Sequence, residues 1–239
     1  MSSYAYDLHV HTKDTSKCGW VDAVEQVERY KRLGYTGIVI TDHLHEAYIQ
    51  TLDCAEDWPA CAELFLAGYR AAKARGDAIG LDVILGIELR FDCVNEYDYL
   101  VYGVDEDFLL RNPYPFRSTI AEFYQQHGDE TLIIQAHPFR KALDPIDPAC
   151  LHGIEIVNCN PRHDSHNLDA LALARRAPHL IRSVGSDAHR DGDEGIAAVL
   201  FHERIHDSFE LRRALLGGDF ELRCDVFDDI IRQSAGDKK

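Results

Sequence analysis

The stretch Leu180-Ile181-Arg182-Ser183-Val184-Gly185-Ser186-Asp187-Ala188-His189 reads as a short strand running into a tight glycine turn that carries an acid and an imidazole. Asp187 and His189 are two residues apart, so on extended backbone both side chains leave one face. A carboxylate beside an imidazole suits a divalent transition metal, but one such pair is also common in ordinary polar loops. Whether the pattern recurs upstream decides between these readings, and it bears on the fold as well.

Upstream, short apolar runs alternate with longer helical patterns. Strands are expected at 4–10, 37–41, 82–86, 97–103, 131–136, 154–157 and 180–185, and helices at 21–33, 59–75, 118–126, 168–176 and 207–216. Asp22 opens the first helix, Lys31 and Arg32 lie in its last turn, and Gly34 suits a left-handed cap. Gly76 is expected to end the second helix, Asn167 to cap the fourth, and Asp207 with Glu210 to box the fifth. Pro138, Pro145 and Pro148 mark a long irregular connection, and the stretch 233–239 reads as frayed. The alternation implies an α/β protein with mostly parallel pairing, either a doubly wound sheet or a closed barrel. In both designs reactive groups gather where strands end.

The candidate ligands sit at those ends. The first strand closes on Asp7-Leu8-His9-Val10-His11-Thr12, with His9 and His11 on one face. Others close on Thr41-Asp42-His43, Gly86-Ile87-Glu88, Ala136-His137-Pro138 and Glu155-Ile156-Val157-Asn158. Packing does not account for so many polar strand ends, because buried unpaired polar groups are costly. A site for cations does.

Composition narrows the rest. The chain has 239 residues, 46% of them hydrophobic, as expected of one folded domain over 1–239 and not of a disordered chain. No apolar run approaches the roughly 20 residues that span a membrane. Met1-Ser2-Ser3-Tyr4 leads straight into a strand, so a cytoplasmic location is expected. The cysteines Cys18, Cys54, Cys61, Cys93, Cys150, Cys159 and Cys224 are odd in number and irregularly spaced, as free thiols are. A net charge of −16 repels long nucleic acid yet permits a small phosphorylated substrate held by cations.

The ordered motifs DxHxHT, TDH, GxE, AHP and GSDAH, from Asp7 to His189, resemble the PHP (polymerase and histidinol phosphatase) family. The segment from Glu155 to His163 is similar to that of small stand-alone members. The resemblance implies a distorted seven-stranded, TIM-like β/α barrel with two or three divalent ions (zinc, manganese or iron) and phosphoester hydrolysis. By motif, it implies one ion held by His9, His11, Glu88 and Asp187. A second would be held by His43, His189 and a donor from the loop after His11, with Glu88 bridging to a third at His137. Members of the family often place His or Asp five or six residues after the second histidine. Ser16 and Lys17 stand there, so Asp14 is the preferred substitute, with Cys18 behind it. Val104 and Asp105 stand where a further histidine is usual. Asp42 and Asn158 are expected to support ligands or touch substrate.

Arg90, Arg140, Arg162 and Arg190 each follow a motif residue within four positions, which puts positive charge on the ligand face of an acidic chain. Guanidinium groups bind phosphate oxygens bidentately, and they can equally neutralise ligand carboxylates. The expected reaction is attack on phosphorus by an ion-activated water. Asp187 is at the reacting centre, and His163 protonates the leaving oxygen. Arg140 and Arg162 hold phosphate oxygens, and Asn158, Arg90 and Arg190 also touch substrate. His45 and His166 are loop histidines of no assigned role. The chain has no GxSxG elbow and no P-loop. Two rivals predict different behaviour. A phosphodiesterase or exonuclease would prefer short oligonucleotides or bisphosphonucleotides, and a regulatory domain would bind metal without turnover.

Overall fold

Tyr4–Val10 forms the first strand, β1, and its last five residues are all buried because neighbours flank it on both sides. This computed structural model describes residues 3–91, 97–141 and 148–236; Cys93, Pro145 and residues 237–239 lie outside that description. Asp22 then caps α1 (Ala23–Arg32), its carboxylate accepting the Glu25 N–H at 2.9 Å. Gly34, at φ +81°, turns the chain into β2 (Gly37–Ile40). β3 (His43–Leu44) and α2 (Glu46–Ile49) follow, then α3 (Trp58–Ile79). α3 runs past Gly76 and ends at Gly80, φ +76°. Gly76 instead permits close packing, since a Cβ there would lie 2.6 Å from both the Leu81 carbonyl oxygen and the Val83 side chain.

β4 (Asp82–Leu85), β5 (Ile87–Arg90), β6 (Asp98–Tyr102) and α4 (Glu106–Arg111) come next, with Asp105 accepting the Phe108 N–H as the α4 cap. α5 (Ile120–His127), β7 (Leu132–Gln135), β8 (Gly153–Asn158), α6 (Asn167–Arg176) and β9 (Ile181–Gly185) continue the alternation. The end of the described chain holds β10 (Ala197–Phe201), α7 (Ser208–Gly217), β11 (Phe220–Cys224) and α8 (Asp228–Gly236). α8 occupies part of the stretch expected to fray. Asn167 is not the α6 cap; its side chain clips the backbone of Asn158, accepting its N–H and donating to its carbonyl, both at 3.1 Å.

The described strands pair as two sheets, ordered β11-β10-β1-β2-β4 and β3-β5-β6-β7-β8-β9. No closed sheet forms among them. β2–β3 and β4–β5 are each one run broken in the middle, and backbone bonds from Gly86 N to Ile40 O and from Glu88 N to Asp42 O carry the ladder across the breaks. β1 meets the chain just past β9 through the parallel bridge Val10–Ala188. The expectation of parallel pairing needs correction at β6, which runs against both β5 and β7, and at β10, which runs against β1 and β11.

Ile38 and Ile40 pack with Val27, Tyr30 and Ala72 of the covering helices. Val39 between them packs into the larger core with Leu8, Ile84, Tyr102, Ile133 and Ile156. Each such side chain contributes about 1.5–3 kcal/mol on burial. This apolar floor fixes where the strand ends point.

Candidate metal centre

Glu155 on β8 sets the orientation of His9. Its Oε1 lies 3.0 Å from His9 Nδ1, which turns Nε2 inward, and its Oε2 accepts the backbone N–H of His137. A side chain at Gly185 would collide with both partners, its Cβ falling 2.5 Å from Glu155 Oε1 and 2.5 Å from His9 Cβ. The glycine of the GSDAH motif is therefore a packing requirement. His11 Nδ1 lies 3.3 Å from Ser16 Oγ, and His189 Nδ1 lies 2.9 Å from the Asp187 carbonyl. Two ligand candidates sit on left-handed backbone, His137 at φ +29° and Asp187 at φ +54°. Such residues cost about 1–3 kcal/mol each and persist only where surroundings hold them. Asn160 donates to the Asp187 carbonyl at 3.1 Å, and Arg140 donates to its Oδ2 at 2.7 Å.

Side chains from five strand ends then converge. His9 Nε2 lies 3.5 Å from Glu88 Oε1 and 3.4 Å from Asp187 Oδ1. His11 Nε2 lies 3.2 Å from both Glu88 Oε2 and Asp187 Oδ1. His43 Nδ1 reaches Glu88 Oε2 at 2.7 Å, and His137 Nε2 reaches Glu88 Oε1 at 3.1 Å. Even so, His9 Nε2, His11 Nε2, Glu88 Oε2 and Asp187 Oδ1 are buried without a well-formed hydrogen bond. Four such atoms facing one another are costly unless a cation sits among them. Donors bound about 2.0–2.2 Å from a tetrahedral ion stand roughly 3.3–3.6 Å apart, close to the spacing seen. A second group, His11, His43 and His189, brings ligand atoms within 4.8 Å of one another, as does a third, His43, Glu88 and Asp98. The donors fit divalent cations.

The protonation balance agrees. Burial alone would push the His9 imidazole down, yet Asp187, Glu155 and Glu88 outweigh it and hold the ring well above its ordinary range. His43 is likewise held high against burial, chiefly by Glu88, and His189 is raised to about 10 by Asp187 and Cys18. Burial favours neutral Glu88 and Asp187, but the neighbouring cationic groups keep both carboxyls well below the carboxylate range. Facing only each other, these groups trap protons in the place a cation would take.

A cavity of about 370 Å³ opens over the centre, and Arg90, Arg140, Lys141, Arg162 and Arg190 all line it. The arginines are held by neighbouring groups. Arg90 pairs with Asp98 at 2.6 and 3.0 Å, and Arg162 with Asp193 at 2.7 and 2.5 Å. Arg140 bonds Asn158 as well as Asp187, and Arg190 stacks 4.1 Å over Trp20. Asn158 also donates to Glu155 and Asp187. His163 lines the cavity, its imidazole held below the usual range by burial and Arg140. His45 caps α2. Asp14 does not join the centre: it is exposed, and its carboxylate accepts the Ala23 N–H at 2.7 Å at the start of α1. Asp42 anchors the loop after β1 by accepting from Thr12 and Ser16. Sequence reasoning gave no role to Glu155, Asp98, Asn160 or Asp193. Glu155 was detectable as a strand-end acid; Asp98 was not, because it begins its strand.

The PHP domain family matches the chain over residues 7–153. No curated protein matches it. Among solved structures, a two-domain protein from Bacteroides vulgatus containing a predicted PHP-like metal-dependent phosphoesterase aligns with a TM-score of 0.67 at 15% identity, over 99% of this chain and 70% of that one. PsfC from Pseudomonas syringae aligns at 0.65 and 16% identity, over 98% and 97%. An amidohydrolase from Chromobacterium violaceum, solved with bound sulfate and no metal, aligns at 0.54 and 14% identity, over 92% and 99%. No helix among the described residues is long and apolar enough to cross a membrane.

Proposed function

The chain belongs to the PHP domain family, and from that premise we propose that it is a metal-dependent phosphoesterase that hydrolyses a small phosphorylated metabolite or nucleotide. One observation carries the reading. Four buried donor atoms without hydrogen bonds converge beneath a cavity rimmed with cations, in a chain of net charge −16. Cation donors below and phosphate-binding groups above suit an anionic ester. The two sheets are read as a distorted barrel formed by one domain, working in the cytoplasm.

His9, His11, Glu88 and Asp187 would hold one divalent cation, His43 and His189 would hold a second, and His137 with Glu88 would serve a third. Bound cations of this kind lower the pKa of water from 15.7 to about 7 and neutralise charge on phosphate oxygens. The chain's own residues do the rest. Arg140 spans Asp187 and Asn158, so it fixes the acid while presenting its remaining N–H groups to the cavity. Arg162, locked to Asp193, offers a rigid positive edge, and Arg90 and Arg190 extend it. His163, exposed on the rim beside Arg162, would give a proton to the departing oxygen from its imidazolium form, which its lowered pKa makes the minor form at neutral pH. A cavity of about 370 Å³ takes a small ligand, near the lower end of the usual range. A larger one of about 1180 Å³ shares Asn160, Arg162 and His163 with it and has room for the organic part.

The test is a panel of substrates. Ion-stripped protein is reloaded with zinc, manganese or iron and given an aryl phosphate, an aryl phosphodiester and a 3′,5′-bisphosphonucleotide. Ion-dependent phosphate release from the monoester is expected. Preference for the diester would make the protein a phosphodiesterase, and tight ion binding with no turnover on any ester would leave a regulatory domain.

A further inference from the structure

We propose that Cys18 is the sulfur donor that completes the second cation position with His43 and His189. The inference rests on the reading of this centre as a cation site and adds a ligand to it.

The loop after β1 is built to present this side chain. Thr12 N, Thr12 Oγ1 and Ser16 Oγ all donate to the Asp42 carboxylate at 2.7 Å. Gly19 N donates to Ser16 O, and Trp20 N donates to His189 O at 2.7 Å. A Cβ at Gly19 would lie 2.9 Å from the Thr12 carbonyl, so the loop folds tightly back on itself. Cys18 is thereby held between a strand end and the His189 backbone. Cys18 stands beside the imidazoles of both His43 and His189, whose ring centroids are 5.7 Å apart. It lines the same cavity as those two rings.

Other donors in the loop are engaged or unsuitable. Asp14 caps α1, the Ser16 hydroxyl serves Asp42, and Lys17 is cationic. A second observation points into the same place. His11 is fully buried with Nε2 unpartnered, and its ring lies 4.4 Å from that of His43 and 4.1 Å from that of His189. Imidazoles bring no negative charge to a divalent ion. A cysteine that releases its proton to solvent on binding does. It is also a soft donor, which favours zinc or cobalt over manganese or magnesium.

The test is the absorption spectrum of full-length protein loaded with cobalt(II), with bound cobalt counted by equilibrium dialysis. Wild type is expected to show an intense near-ultraviolet sulfur-to-cobalt charge-transfer band. C18S should lose the band and one equivalent of cobalt. C18D, which keeps an anionic donor, should lose the band and retain the cobalt, and D14A should keep both. Circular dichroism confirms that each variant is folded. Cobalt bound to wild type without the band, or a band that persists in C18S and C18D, overturns the assignment and leaves the cation centre standing. Failure of cobalt, zinc and manganese alike to bind overturns both.

Discussion

At the amino-terminal ends of β1 and β4, Tyr6 and Asp82 form a buried polar network that is complete. The Tyr6 hydroxyl lies 2.8 Å from Asp82 Oδ2 and 2.9 Å from Ile205 O, and it accepts the Ile205 N–H. Arg204 holds Asp82 with two bonds at 2.7 and 2.9 Å. A few residues further along β1, His9 and His11 are just as buried, but each leaves Nε2 unpartnered. Two ends of one strand thus treat burial differently. The complete network supports the fold at one end; at the other, buried polar atoms without hydrogen bonds cost stability, as atoms of the proposed cation site would.

The sharpest way to break this contrast is Asp187→Asn, which keeps shape but removes the charge that both inner histidines face. It should lower kcat/KM of the cation-loaded protein by at least about 10³-fold; a loss under tenfold would take Asp187 out of the reacting centre. Next is the ion itself. Zinc at a thousandfold excess over its Kd contributes about 4 kcal/mol and should raise the calorimetric midpoint by roughly 10 °C. His9→Ala should lose most of that shift.

At the complete end the effects fall on the fold. Tyr6→Phe strands the Ile205 N–H and should cost about 2 kcal/mol in urea unfolding while leaving kcat/KM unchanged. The smallest expected effect concerns His152, which accepts the Ile133 N–H at 3.1 Å before β8. Burial, helped by Arg212, holds this imidazole below its ordinary 6.5. The unfolded chain therefore takes up a proton first on acidification. Stability is full above about pH 6.5 and falls as pH drops towards the folded-state value. His152→Asn should flatten that part of the pH profile relative to wild type, read from unfolding midpoints between pH 7.5 and 5.

The ligand end was more legible than the fold around it, for a physical reason. Strands that run the same way deliver candidate ligands at their ends, so His9, His43, Glu88, His137 and Asp187 come to notice by inspecting the residues just past each apolar run. β6 runs the other way and delivers Asp98 at its start, where such inspection does not reach. Closure also escaped the sequence, because apolar periodicity marks strands and not their neighbours. β10 and β11 were not anticipated at all, since AAVLF and FELRC are short runs with no ligand after them. Asp14 carries the charge a cation ligand needs, but its place beside the first turn of α1 gives it a backbone N–H to accept. Asp193, the partner of Arg162, sits in a loop with nothing in its neighbours to announce it.

The Val10–Ala188 bridge has a consequence for biosynthesis. On the ribosome, His9 and His11 emerge long before Asp187 and His189, by on the order of ten seconds or more at ordinary elongation rates. Through that interval the early pair has no acid from the ninth strand to share a guest with. On the proposed reading, cation capture would be a late event in maturation, and the metal pool that meets the finished chain, not the one present when translation starts, would select the occupant.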